Sequence, residues 1–253
     1  MSRLPVHSGS DIHLADALTQ PGCPLCREQA RTESAYLESI LAESVNDVGF
    51  RAALDTARGF CSAHARAVLD ADRRRAGSLG AAILLRATLA VRLRELEAAH
   101  AAGGRTRSRR LEAAARPPSC PACDRVTRAG ASVVASLARL TSDAAWAEAA
   151  AAAPLCLDHL LRLASHRPTT AAWPAIEARQ LDRLRRLRDD LDGYAHASSH
   201  DRRHLQTDAH RAAADQAADL FDGRGSAHRH ARSRGQPDAP STGSSVLRDA
   251  DGE

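Results

Sequence analysis

The chain has 253 residues, 43 % of them hydrophobic but only 3 % aromatic, with a formal net charge of +4. Alanine supplies much of the apolar content, which excludes a β-sandwich or barrel, since those folds need many β-branched and aromatic residues. The 35 basic residues are all arginine, a compositional bias that makes the pI near 9.0 a poor argument for nucleic acid.

No run approaches the ~20 apolar residues of a membrane span. The longest candidate, Ala81 to Val91, is interrupted by Arg86. The first twenty residues carry Asp11, His13 and Asp16 and no continuous apolar stretch, so they do not read as a secretion signal. The expected compartment is the cytoplasm, where thiols stay reduced and metal binding is favoured over disulfides.

In chain order, Pro21-Gly22 breaks the chain just ahead of Cys23-Pro24-Leu25-Cys26. A helical pattern follows, with Leu37, Ile40, Leu41 and Val45 on one face. A shorter helix runs from about Val48 to Arg58 and stops at Gly59. Phe60-Cys61-Ser62-Ala63-His64 opens a third helix, and a long fourth spans roughly Ser78 to Ala101, with Leu85, Leu89, Leu93 and Leu96. Gly103 to Ser119 is an arginine-rich linker. The same order then recurs. Cys120-Pro121-Ala122-Cys123 precedes a helix with Val126, Val133, Val134, Leu137 and Leu140 on one face. A short helix runs from about Asp143 to Ala153 and stops at Pro154. Leu155-Cys156-Leu157-Asp158-His159 opens a third helix, and a fourth spans roughly Ala171 to Tyr194, with Leu181, Leu184, Leu187 and Leu191. A further helical stretch reaches about Phe221. Gly223 to Glu253 is rich in Gly, Ser, Pro, His and charge and is expected to be disordered.

All six cysteines thus fall in an internal repeat, CPxC then CxxH, twice over at near-equal distance. Three thiolates and one imidazole complete a tetrahedral zinc site, and two residues between cysteines let both sulfurs reach one ion. A CxxH at a helix start puts both side chains on one face, and helix N-termini favour thiolate over thiol. With four protein ligands no coordination position stays open for catalysis. The fold class expected is all-α: two homologous helical units, each with a Cys3His site, plus the tail. The division expected is residues 10–104 for the first zinc-binding repeat, 105–119 for the linker, 120–222 for the second repeat with a C-terminal helix, and 223–253 for the tail.

Cys23, Cys26, Cys61 and His64 are expected to form one site and Cys120, Cys123, Cys156 and His159 the other, because local closure costs less chain entropy. Crossed pairing, each CxxC with the other copy's CxxH, is the sterically allowed alternative. An iron–sulfur cluster is the runner-up for the same ligands. A thioredoxin-like role lacks the βαβ pattern it belongs beside, and a c-type haem would need His where Arg27 and Asp124 stand.

Lesser candidates read as solvated surface. They are His196, His200 and His204 at four-residue spacing, His228 and His230 in the tail, the Arg105 to Arg110 run, and Arg183 to Arg188, offset by Asp182, Asp189, Asp190 and Asp192. No phosphate loop, nucleophile elbow or paired-carboxylate site is present.

The arrangement CPLC, GFCSAH, SCPAC and LCLDH resembles a bacterial family of unknown function built from twin Cys-x-x-Cys and Cys-x-x-His helical units. The resemblance covers roughly residues 10 to 222. It includes Gly59-Phe60-Cys61 ahead of the first His, and Asp201-Arg202 echoes a basic step near the members' C-terminal end. The second copy departs at Pro154-Leu155. The resemblance implies the helical fold and the metal ligands and no activity. The function expected is non-catalytic: a zinc-stabilised interaction or regulatory module with a protein partner and two zinc ions per chain. The alternatives are a thiol-based redox or metal sensor, and nucleic-acid binding through the arginine-rich linker.

Overall fold

The computed structural model of the chain describes residues 4–75, 77–166 and 171–221. Among them every regular element is helical. In chain order the helices are α1 (Gly9–Thr19), α2 (Pro24–Ser39), α3 (Val48–Thr56), α4 (Ser62–Arg74), α5 (Leu79–His100), α6 (Gly104–Ala115), α7 (Pro121–Leu140), α8 (Ala144–Ala152), α9 (Leu157–Ser165), α10 (Trp173–His196) and α11 (Asp208–Phe221). A π-helical turn, Ile40–Ser44, continues α2, and a 3-10 turn, His200–Leu205, separates α10 from α11. No described helix is long and apolar enough to cross a membrane.

The repeat is visible element by element: α2 to α5 form one copy and α7 to α10 the other. The corresponding ends are set by the same chemistry. Proline occupies the first turn of both α2 and α7, where its missing N–H costs nothing. Asp47 accepts from Phe50 N to cap α3, and Asp143 accepts from Ala145 N and Trp146 N to cap α8, each satisfying orphan donors of a helix start.

The two copies are not packed as separate bodies. One core gathers Val134, Leu137, Trp146, Leu155 and Leu163 of the second copy, and into it go Leu14 of α1 and Leu25 of α2. The other gathers Leu37, Leu54, Phe60, Val68 and Leu84 of the first copy, together with Cys120 and Ala122 of α7. The N-terminal turns of α2 and α7 have in effect exchanged places. Both exchanged ends are well buried: Leu25 and Ala122 are 0 % exposed. A third, small cluster seats Ala213 and Leu220 of α11 on Leu187 of α10.

Three elements differ from the sequence reading. Residues 9–19 form a helix, α1, held by Asp11, which accepts from His7 N at 3.1 Å and faces Arg139. The arginine-rich linker contains a helix, α6. It is tied down by Arg58 Nη2 donating to Ala114 O at 3.0 Å, by Arg92 Nη2 donating to the same oxygen at 2.6 Å, and by Arg58 Nη1 donating to Arg116 O at 3.1 Å. On α5 the buried residues are Ala81, Leu84, Val91 and Ala99, while Leu89, Leu93 and Leu96 of the apolar stripe are half or more exposed. Alanine on the buried side lets α5 approach its neighbours closely, and the leucines fall on the other side. Residues 223–253, expected to be disordered, lie outside the described residues.

Candidate metal centres

Four helices begin at a cysteine. Cys23, Cys61, Cys120 and Cys156 are the N-caps of α2, α4, α7 and α9, and the second member of each motif sits one turn inside, on the same face. The chain enters the CxxH helices through two different turns. In the first copy Gly59 has φ +92°, and a Cβ there would collide with the Thr88 side chain, so only glycine fits. In the second, Pro154 does the same task from an extended Ala153. Both turns deliver a buried side chain just ahead of the cysteine, Phe60 at 5 % and Leu155 at 0 % exposure.

The eight residues named from the sequence come together as two groups of four: Cys23, Cys26, Cys156 and His159, and Cys61, His64, Cys120 and Cys123. The expectation of local pairing is therefore wrong; each CxxC meets the CxxH of the other copy. The entropy argument behind it is sound but small. For the group of Cys23 and Cys26 the crossed loop is roughly two doublings longer than the local one, ~1 kcal/mol in closure entropy, and for the other group less than one doubling. Acting against that cost is the complete burial of Leu25 and Ala122 in the exchanged turns of α2 and α7, at ~25 cal/mol for each Å² of apolar surface.

The geometry is nearly the same in the two groups. In the first, His159 Nδ1 lies 3.1 Å from Cys156 Sγ, 3.2 Å from Cys26 Sγ and 3.5 Å from Cys23 Sγ. In the second, His64 Nδ1 lies 3.2 Å from Cys61 Sγ, 3.2 Å from Cys123 Sγ and 3.5 Å from Cys120 Sγ. Sulfurs stand 3.5 Å apart between Cys26 and Cys156 and 3.6 Å between Cys61 and Cys123. A disulfide would need ~2.05 Å. A tetrahedral ion with sulfur at ~2.3 Å and nitrogen at ~2.05 Å puts sulfurs about 3.8 Å apart and sulfur about 3.5 Å from nitrogen. The observed spacings sit slightly inside that tetrahedron. Both groups could hold one metal ion each.

The protein groups alone share their protons unevenly. Burial works to raise the Cys23 thiol, yet hydrogen bonds from Cys156, Cys26 and their backbone hold it well below its ordinary value. Its neighbour Cys26 is driven up, first by its hydrogen bond with Cys156 and then by Cys23. In the second group burial opposes ionisation of Cys120, but His64 and backbone N–H groups bring it down to about 6, while burial and then Cys61 push Cys123 up to about 12. Contact with Cys120, then with Glu33, pushes His64 up to about 10. Like charges this close oppose one another's ionisation, and a divalent cation among the sulfurs would offset that repulsion.

The surroundings of the two groups differ in ways motif reading did not find. His64 Nε2 is 3.2 Å from Glu33 Oε1. His159 Nε2 is buried and has no hydrogen-bond partner. Arg183, read from sequence as part of a solvated face, is half-buried; it donates to Leu155 O at 3.1 Å. Burial lowers its pKa, against the influence of Cys23 and Cys156. It lines a cavity of about 280 Å³ together with Cys23, Cys26, Cys156, Asp219 and Leu220. The only sequence signal for Glu33 is its place two turns beyond Cys26 on the same helix.

The other described candidates stay apart from both groups, while the side chain of His200 lies outside what the structure describes. His196 lies 3.2 Å from Arg202 Nη1, and neither it nor His204 joins a metal-holding group among the described residues. Arg105, Arg107, Arg109 and Arg110 are exposed on α6. Arg185 and Arg188 pair with Asp182 and Asp189 at the surface. His228 and His230 lie outside the described residues.

A comparison with protein families matches residues 9–215 to DUF6062, a family of unknown function, and the chain belongs to that family. Among curated proteins and among solved structures nothing matches the chain.

Proposed function

We propose that this member of the family is a non-catalytic, zinc-stabilised helical protein of the cytoplasm. Two ions clip its exchanged halves together, and the clipped body serves as an interaction or regulatory module. The observation that carries the reading is the pair of near-tetrahedral Cys3His groups, each drawn from both copies of the repeat. Thiolate and imidazole in tetrahedral array suit Zn²⁺. An iron–sulfur cluster, the runner-up from sequence, places its ligands on different irons and so holds them farther apart than a single ion does. Ligand atoms that all lie within 4.8 Å of one another favour the single ion.

A structural role follows from the ligand count: three sulfurs and one nitrogen fill the tetrahedron and leave no position for water. The chain also gains from the help, since aromatics are only 3 % of it and little aromatic area is available to its cores. A protein partner is supported by the unpaired leucines Leu89, Leu93 and Leu96 on the outer side of α5.

The test is elemental analysis of the full chain purified without added metal. Two zinc per chain are expected, with no visible absorption. Stripping the metal is expected to lower the stability by several kcal/mol and the unfolding midpoint with it, because ligation energy here is folding energy. One metal or none, or a brown chromophore, overturns the reading.

A further inference from the structure

The two groups match in ligand type and spacing but not in what stands behind the histidine. In both, Nδ1 faces the sulfurs, so Nε2 carries a proton that must go somewhere. In the group of Cys61, His64, Cys120 and Cys123 it goes to Glu33, at 3.2 Å. In the group of Cys23, Cys26, Cys156 and His159 it has no acceptor, although the ring is only 1 % exposed.

The repeat explains the difference. Glu33 lies ten residues past Cys23, at the start of α2's third turn. The residue in the same place after Cys120 on α7 is Gly130. Gly130 is buried where α7 crosses α2, and a Cβ there would collide with the Gln29 side chain. With glycine at this position the repeat supplies a carboxylate to one centre and none to the other. A carboxylate behind a ligating histidine fixes its tautomer and ring orientation and raises its basicity; loss of such a partner typically costs ~10–100-fold in metal affinity.

A second difference points the same way. Cys23, Cys26 and Cys156 of the unsupported group, at the starts of α2 and α9, line the 280 Å³ cavity with Arg183 of α10 and Asp219 and Leu220 of α11. A small chelating ligand fits that space by size, with Arg183 placed to take an anionic group and the Asp219 carboxylate beside it.

We propose that the two centres are unequal: the one backed by Glu33 holds its metal tightly, and the one at Cys23, Cys26, Cys156 and His159 is exchangeable, yielding its ion to small anionic chelators. Glu33 is a positioning residue, acting through His64. Exchange involves no electron transfer: the ion leaves with the chelator and the thiolates take up protons from water. The proposal rests on the metal reading above.

The test titrates the two-zinc full chain with EDTA, then alkylates exposed thiols with N-ethylmaleimide and maps the labelled peptides. The first zinc is expected to leave at ~10–100-fold lower EDTA than the second, with label on Cys23, Cys26 and Cys156. Glu33→Gln is expected to bring the second step ~10–100-fold closer to the first without moving the first or changing the helical signal. Glu33→Asp is expected to recover part of the loss. Release of both ions in one step, label on Cys61, Cys120 and Cys123, or a Glu33→Gln chain with both steps unmoved overturns the proposal. A chain that holds no zinc overturns the metal reading with it, whereas two ions of equal affinity overturn the inequality alone.

Discussion

The first and second copies of the repeat place the same eight ligand-type residues with nearly the same spacings, yet they build their cores differently. The second copy packs around Trp146, fully buried, whose indole N–H donates to Pro5 O at 2.8 Å. The corresponding position in the first copy, Phe50, only flanks its core. Gly59 in one copy answers to Pro154 in the other, and Glu33 to Gly130. What the pairs share is the end of each helix: the cysteine caps, the N1 prolines and the aspartate caps. The ligand geometry therefore depends on where the helices begin, and the interiors are free to differ as long as those beginnings stay in place.

The largest effect expected comes from separating the copies. A fragment ending at Gly104 lacks Cys120 and Ala122, which belong to the first copy's core, and keeps only half of each metal group. It is expected to show no cooperative unfolding alone. Mixing it with a fragment from Arg105 to the C-terminus is expected to restore a two-metal, cooperatively unfolding complex. If the first fragment alone bound one metal tightly and unfolded cooperatively, the exchange of helices between copies would be wrong.

The unequal cores give the next largest effect. Trp146→Ala is expected to cost about 3–5 kcal/mol, the range for emptying a fully buried aromatic site. Phe50→Ala is expected to cost about 1–2 kcal/mol, since less of its surface is removed from water. Denaturant unfolding of the two metal-loaded variants checks this, and equal losses would contradict the asymmetry.

The smallest effect tests the symmetry instead. Asp47 and Asp143 cap equivalent helices, α3 and α8, so Asp47→Ala and Asp143→Ala are each expected to cost ~1 kcal/mol. Thermal unfolding that showed one cap dispensable and the other essential would mean the short helices do different jobs.

Much of this architecture was legible in the sequence. The four helices of each copy follow from aliphatic periodicity and the CxxH openings, and their ends from Pro24, Gly59, Pro121 and Pro154, although on α5 the leucine stripe marks the exposed side. The ligand-type residues follow from the doubled motif. Which half-sites join was not legible, because that depends on the burial of Leu25 and Ala122 in each other's cores, a long-range packing term that no local spacing reports. Glu33 and Arg183 were missed for a related reason: each acts across helices, and on its own helix each looks like one more charge on a polar face. The helix over 104–115 was missed because its arginines were read as a solvated stretch, whereas the anchors Arg58 and Arg92 lie far back along the chain.

The exchange of helix starts between the copies also bears on how the chain is made. A ribosome adding ~5–20 residues per second releases Cys23 and Cys26 on the order of 10 s before Cys156 and His159. During that interval Cys61 and His64 are already available. With Cys23 and Cys26 they make up three sulfurs and one nitrogen in the wrong combination, a chemically complete decoy. On the zinc reading proposed above, a newly made chain that captures the ion early must give it up again to reach the native arrangement, so the yield of correctly joined protein is expected to fall when free zinc arrives fast relative to synthesis.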